Sequence, residues 1–372
     1  MEDERNFITP PARLMVIGIG GGGGNAVDRM HNTRVSGVEL VAVNTDVQVL
    51  EVVQAQRTLQ IGRKLTGGLG AGGDPEIGRL AAEESREDVM DLLDGIDMAF
   101  ITCGMGGGTG TGAAPVIASL AKEAGILTTG IVTRPFSFEG LARAGKAEAG
   151  IARLSQVVDA LITISNDKLL KVAPADTPIT KAFEMADEVL RQGVEGISDL
   201  ITIPGMINLD FADIESVMRG AGTAMMGIGE GQGDGKTKEA ARNAISSPLL
   251  DGSIKGARKV IMNITGGSDL TLEEVTDAAS LIREAVSDRA DIIFGTAIRD
   301  GMEQVRLTVI ATGFPLSFTG EEEGTPLGNE MMLAKLQQES RLGEDDFDIP
   351  TFLRRRRAHE ETAPRPWGEK EG

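Results

Sequence analysis

At 372 residues the chain exceeds what one hydrophobic core usually serves, so two domains are expected. Aromatic residues are only 3% of a chain that is 41% hydrophobic, so its cores must rest on Val, Ile, Leu, Ala and Met. A formal net charge of −19 leaves no basic face for nucleic acid or for adhesion to anionic lipid, and no apolar run approaches the roughly 18 residues of a membrane helix.

The opening Met1-Glu2-Asp3-Glu4-Arg5 is acidic and lacks an apolar stretch, so no secretory signal is expected, residues 1–12 read as a flexible N-terminus, and the protein is expected in the cytoplasm. A single cysteine, Cys103, excludes an internal disulfide and suits a reducing compartment, where it reads as a small buried hydrophobe. With only His31 and His359, a His/Cys zinc site is not expected.

Residues 13–176 alternate strand-like and helix-like segments. Strands are expected at Arg13–Ile19, Val38–Asn44, Thr58–Ile61, Asp97–Cys103, Leu127–Thr133 and Ala160–Ile164, with helices at Pro75–Leu93, Thr109–Lys122 and Phe138–Val158. Such alternation means a mostly parallel sheet covered on both faces, with ligands at the carboxyl ends of its strands. A long helix follows over residues 177–203, with Thr177 as N-cap and Pro178 at its first position. It spans about 40 Å at 1.5 Å per residue, enough to join two domains. Residues 204–316 resume as a smaller α/β unit, with strands near Ala221–Ile228, Lys259–Ile264, Ile292–Thr296 and Val305–Ala311 and helices near Lys236–Ala244 and Leu272–Val286. Residues 317–345 are rich in Gly, Glu, Pro, Gln and Asp and read as a disordered linker, and 346–372 as a terminal peptide.

The glycines fall at the strand ends. Gly18, Gly20 and Gly23 satisfy GxGxxG, and Asp46 lies about 23 residues further on; alone this reads as a dinucleotide fingerprint and gives the alternative of an NAD-dependent oxidoreductase. A second loop, Gly106-Gly107-Gly108-Thr109-Gly110-Thr111-Gly112, and a third glycine-rich stretch, Gly67–Gly73, weigh against it, because three loops suit a triphosphate better than a pyrophosphate. Two near misses to Walker A, Gly140 to Ala147 and Gly235-Lys236-Thr237, lack a required residue each: Ala147 stands for Ser/Thr and Glu230 for the first glycine.

The Gly106–Gly112 heptad, with Asn208-Leu209-Asp210-Phe211-Ala212-Asp213 further on, resembles the tubulin superfamily and within it the FtsZ family of bacterial division GTPases, from about Arg13 to Phe314. The resemblance implies a tubulin/FtsZ-like α/β fold: a Rossmann-like GTPase domain and a smaller α/β domain joined by a long central helix. It implies GTP or GDP surrounded by Gly20, Gly21, Gly22, Gly23, Gly24, Asn25, Asn44, Thr45, Ala71 and Gly72, with the phosphates on Gly107, Gly108, Thr109, Gly110 and Thr111. Glu139 and Arg143 would contact ribose and phosphates, although at i and i+4 they also suit a surface ion pair. Asn166 is the matching position for a further contact. Phe183 and Asp187 share a helix face, where an aromatic can stack a purine and an acceptor-only carboxylate matches guanine N1–H and N2–H₂. Without the resemblance, Phe183 reads as core and Asp187 as solvated.

Asn208, Asp210 and Asp213 would act catalytically from the adjacent subunit, orienting water at the γ-phosphate; the plainer reading of the two aspartates is a helix cap. A head-to-tail homopolymer forming the mid-cell division ring is implied, with Mg²⁺ bound largely through phosphate and water. A tubulin-like scaffold that does not hydrolyse its nucleotide is the non-enzymatic alternative. Near the end, Phe347, Ile349, Pro350, Phe352 and Leu353 match the family's peptide for membrane-tethering division proteins. The run Arg354–Arg357, the tail of Glu360 and Glu361 towards Trp367, and a short linker depart from the family pattern.

Overall fold

A computed structural model describes residues 12–314 apart from 36, 172, 175, 203–209, 248–249, 251, 288 and 300. The linker and terminal peptide expected from 317 onward, and with them Phe347, Ile349, Pro350, Phe352 and Leu353, lie outside the described residues, as does Asn208.

The chain runs β1 (Leu14–Ile19), α1 (Gly20–Asn32), β2 (Val38–Asn44), α2 (Val47–Val52), β3 (Arg57–Gln60), α3 (Arg63–Thr66), α4 (Pro75–Glu84), α5 (Arg86–Leu93) and β4 (Met98–Gly104). Then come α6 (Thr109–Glu123), β5 (Leu127–Arg134), α7 (Leu141–Val157), β6 (Ala160–Ser165), α8 (Asn166–Leu170) and α9 (Ile179–Thr202). The remainder is α10 (Phe211–Met218), β7 (Gly222–Gly231), α11 (Lys236–Ile245), β8 (Lys259–Gly266), α12 (Leu272–Ala285), β9 (Asp291–Ile298) and β10 (Val305–Thr312).

One ten-stranded sheet carries these strands in the order β3-β2-β1-β4-β5-β6-β7-β10-β8-β9. Its first six strands are parallel. The central strands are apolar on both faces, as β1 shows: Leu14 and Val16 enter the core shared with α1 and α9, while Met15, Ile17 and Ile19 enter the core under α4 to α7. Only the edge strand β3 is polar and largely exposed. Strand β7 joins the two halves. Gly222–Ala224 pair parallel with β6, and Met225–Gly231 pair antiparallel with β10, so the smaller α/β unit continues the first sheet.

Helix α9 packs Ala186, Val189, Leu190, Val194, Ile197 and Leu200 into the first core, each large side chain contributing roughly 1.5–3 kcal/mol. It runs against the strands. Its start lies beside α1, which follows the carboxyl end of β1, and its end lies under Gly37, just before β2, where a Cβ would stand 2.4 Å from Thr202 Cγ2. Helix α10 then sits at this amino-terminal edge, for Arg219 reaches the Gly125 carbonyl and Asp159, ahead of β5 and β6.

Three local expectations need correction. The helix expected over Pro75–Leu93 is two, because the Ser85 hydroxyl accepts from Gly62 N–H and its backbone leaves helical geometry at ψ +24°. The helix expected from Phe138 starts at Leu141, after Gly140 at φ +94° and ψ +158°, a conformation only glycine holds without strain. Thr177 does not cap α9; its hydroxyl donates to the Pro174 carbonyl. Among the described residues no helix is long and apolar enough to cross a membrane.

Candidate functional site

The β1–α1 and β4–α6 turns meet backbone to backbone. A Cβ on Gly20 would stand 2.9 Å from Gly110 N, one on Gly22 3.2 Å from Gly104 N, and one on Gly23 2.4 Å from the Thr102 carbonyl. A side chain at Gly20 would push the two helix N-termini apart, and one at Gly22 or Gly23 would push α1 off β4. Gly108 is similarly pressed between Ala71 and Asp74, and Gly24 approaches Val53. Gly21, Gly107 and Gly72 instead have nothing within 4 Å of a Cβ and border open space. Neither α1 nor α6 has a side-chain N-cap, whereas nearby α2 and α4 are capped by Asp46 and Asp74. Two uncapped N-termini therefore present free N–H donors and positive dipole ends side by side, the chemistry of a phosphate site.

Polar side chains hold this cradle in shape. Thr45 and Thr109 hydroxyls share a hydrogen bond of 2.7 Å, which ties the β2 end to the start of α6. Asn44 Oδ1 accepts from the Thr45 and Asp46 N–H groups, and the buried Thr111 hydroxyl accepts from Gly106 N–H at 2.8 Å. Asn44 and Thr111 thus shape the loops' own backbone. Glu139 and Arg143 form the ion pair their spacing suggested, 3.1 Å apart, and Glu139 also accepts from Phe136 N–H. The Arg143 stem lies across Gly106, 2.7 Å from where a Cβ would be, so the pair sits at the rim of the glycine heptad.

Beside the cradle a pocket of about 580 Å³ opens between α1 and α9, lined by Asn25, Arg29, Phe183 and Asp187 among others. Phe183, 40% exposed, meets Phe136 edge-on at 5.3 Å, and Phe136 stacks on Phe138. The Phe183 ring is thereby held against these two rings while part of it stays exposed. Burial pushes the Asp187 carboxyl up to about 6, against the pull of the Arg29 guanidinium at 3.5 Å. Asn166 opens α8 and is buried, and its Oδ1 has no hydrogen-bond partner among the described residues. An unsatisfied buried amide oxygen calls for a donor from outside the chain.

Sequence reasoning assigned no role to Arg29, Phe136 or Phe138. Arg29 lies one helical turn after Asn25, a legible signal; the phenylalanines lie in the run before Glu139, where only the folded contact with Phe183 reveals their part.

Asp210 and Asp213 form a reciprocal cap on α10: Asp210 Oδ1 accepts from Asp213 N–H at 2.8 Å, and Asp213 Oδ2 from Asp210 N–H at 3.2 Å. The capping reading is correct as far as it goes. It leaves the second oxygen of each carboxylate without a partner among the described residues, and α10 stands at the sheet edge opposite the glycine loops.

Residues 13–174 match the GTPase domain of the Tubulin/FtsZ family, and residues 222–315 the C-terminal domain of the FtsZ family. The chain belongs to the FtsZ family. Its fold is similar to an FtsZ dimer from M. jannaschii, at 42% identity over 85% of this chain and 95% of that one, with a TM-score of 0.79. A point mutant of the M. jannaschii FtsZ is 44% identical over 82% of this chain and 92% of that one, with a TM-score of 0.78. A GTPγS-bound protofilament of CetZ2 from Haloferax volcanii shares the fold at 21% identity, covering 89% of this chain and 100% of that one, with a TM-score of 0.70.

The protein is accordingly a filament-forming cell-division GTPase of the FtsZ family, and the NAD alternative falls away. Both Walker-like near misses are structural in this FtsZ-family chain. Lys146 lies within α7 and donates to the Gly73 carbonyl, while Lys236 opens α11 and pairs with Asp269. Burial pushes the Cys103 thiol up to about 12, which makes it an inert core residue.

Proposed function

We propose that the glycine cradle holds the phosphates of GTP or GDP, that the α1–α9 pocket takes guanine, and that hydrolysis is completed by Asn208, Asp210 and Asp213 of the next copy. The observation that carries the proposal is the placement of α10. From Asp187 to Thr202 α9 travels fifteen residues, about 22 Å at 1.5 Å per residue, away from the cradle. The Asp210 and Asp213 carboxylates of one copy therefore cannot reach its own phosphates, whereas a head-to-tail neighbour brings them there. Such a heterologous contact repeats into an open filament. The dimer of M. jannaschii FtsZ and the CetZ2 protofilament support the same assembly.

In this reading the uncapped N–H groups of α1 and α6 receive the phosphate charge, and the Thr45 and Thr109 hydroxyls sit beside them. Glu139 and Arg143 meet the ribose and phosphates at the rim, and Asn166 offers its unsatisfied oxygen to the nucleotide. The donor set is N–H and hydroxyl rather than carboxylate, so Mg²⁺ would ride on the phosphates and water. The incoming Asp210 and Asp213 would orient the attacking water, because phosphoryl transfer depends mostly on positioning and charge stabilisation. GTPase rate per molecule should be near zero in dilute protein and rise above a threshold concentration. Asp213→Ala should retain GTP binding and lose hydrolysis by about a hundredfold or more. Constant specific activity across dilution, or normal turnover by Asp213→Ala, refutes completion by a neighbour.

The chain would work in the cytoplasm at the mid-cell ring, and the peptide containing Phe347, Ile349, Pro350, Phe352 and Leu353 would dock membrane-tethering partners through the 317–345 linker. Apolar side chains on a polar tether are suited to a partner's groove, and neighbouring tails on one filament add avidity. Deleting everything after Asp345 should leave GTP hydrolysis and filament formation by purified protein nearly unchanged, yet release filaments from the membrane in cells. Loss of polymerisation by the truncated chain would make the tail structural instead.

A further inference from the structure

We propose that Arg29 is a positioning residue for base selection: from α1 its guanidinium holds the Asp187 carboxylate in its acceptor-only form, turned to the pocket. The inference rests on the reading of Asp187 as the group that meets the base. Its geometry is a two-helix frame. Asn25 and Arg29 stand one turn apart on α1, Phe183 and Asp187 one turn apart on α9, and all four line one pocket.

Charge in that pocket is lopsided. Arg29 is the sole cation among the described lining residues, against the carboxylates of Asp28, Glu184, Asp187 and Glu188. Three of those acids have partners elsewhere. Asp28 accepts from the Asn32 amide and from Gln54 N–H, Glu184 pairs with Lys181, and Glu188 pairs with Arg191 and accepts from Gln192. Asp187 is left to Arg29, at 3.5 Å. It is also the most burdened of the four, because burial and the neighbouring Glu184 both favour its protonated form and Arg29 opposes them.

Protonation would change what Asp187 can recognise. The ionised carboxylate accepts only and fits guanine N1–H and N2–H₂; the neutral acid carries an O–H donor that adenine N1 can accept. Keeping the proton off Asp187 near neutral pH is therefore a condition for choosing guanine. Arg29 does this through its charge, and 3.5 Å is close enough for that yet loose enough to leave the carboxylate oxygens available.

The test is competition binding of GDP against ADP to the full chain, in dilute protein, from pH 5.5 to 8.5. Diphosphates keep hydrolysis out of the readout. In the unchanged protein the preference for GDP should fall as pH drops through about 6. Arg29→Gln should move that fall to between about pH 7 and 8, with the preference recovered to within about threefold at pH 8.5. Arg29→Lys, which keeps the charge, should restore most of the original profile. A loss of affinity by Arg29→Gln that is equal at every pH would mean a merely structural role and overturn the proposal, as would an unchanged profile. Asp187→Asn separates the two ideas. If it abolishes the preference while Arg29→Gln leaves the profile unmoved, only the role of Arg29 fails. If Asp187→Asn keeps the full preference, the reading of Asp187 itself fails and this inference with it.

Discussion

Asp187 and Asp199 stand twelve residues apart on α9, about 18 Å along the axis and roughly 120° around it, and each is buried against an arginine from another element. Burial pushes both carboxyls up to about 6. The partners differ. Asp187 meets Arg29 loosely at 3.5 Å beside an open pocket of about 580 Å³, while Asp199 accepts from Arg299 at 2.8 Å in a cavity of about 250 Å³ between α9 and the second half of the sheet. Around Asp199 lie further charges, since Glu195 pairs with Arg191 and Arg306, and Arg306 also reaches Glu230 on β7. One residue type on one helix thus serves two ends. Where hydrogen bonds within the chain are already made, the carboxylate is occupied by its partner; where they are left open, it is available to a ligand.

The largest difference between the two sites should appear in base choice. A site built to hydrogen-bond a ligand rejects the mismatched one by factors on the order of 10⁴. Asp187→Ala should lose most of the margin between GTP and ATP in competition binding, while Asp199→Ala should leave that ratio unchanged. Equal affinity for ATP in the unchanged protein would remove the contrast altogether. So would a large loss of selectivity from Asp199→Ala, since that carboxylate faces a different cavity.

Much of this was legible along the chain because it depends on neighbours in sequence. Apart from the polar edge strand β3, the strands from β1 to β6 read as short apolar runs since both faces of the parallel sheet are covered, and the Asp210/Asp213 cap follows from a spacing of three. The same local logic placed Phe183 and Asp187 on one helix face, while Asn25 came from the family resemblance, and the convergence of the three in one pocket is a matter of how α1 packs on α9. What failed to read depends on distant partners. The break at Ser85 is set by Gly62, 23 residues earlier, and β7 reads as the start of a new unit although its first residues pair with β6. The Asp199–Arg299 pair spans 100 residues of sequence, and nothing local to either residue announces the other.

The smallest effect expected concerns stability at Asp199. Its ordinary value of 3.8 is raised to about 6 in the folded chain, so between those values the folded state holds a proton that the unfolded state has released. Stability from this group therefore rises as pH falls through that window, and above about pH 6 the ionised carboxylate is a penalty. The upper bound on that penalty is about 3 kcal/mol, at 1.36 kcal/mol per pH unit. Asp199→Asn keeps an acceptor for Arg299 and removes the charge, while Arg299, itself 43% exposed, retains water around its guanidinium. The variant should consequently be as stable as the parent at pH 7.5, or more stable by about 1 kcal/mol. That advantage should shrink towards pH 4, where both chains are neutral at this position. Urea midpoints of the two proteins, compared at each pH so that every other titration cancels, measure the difference directly. A variant weaker by about 2 kcal/mol or more at pH 7.5 would mean that the hydrogen-bonded ion pair outweighs its burial, and that bracing, not tolerance of a buried charge, is what Asp199 contributes to α9.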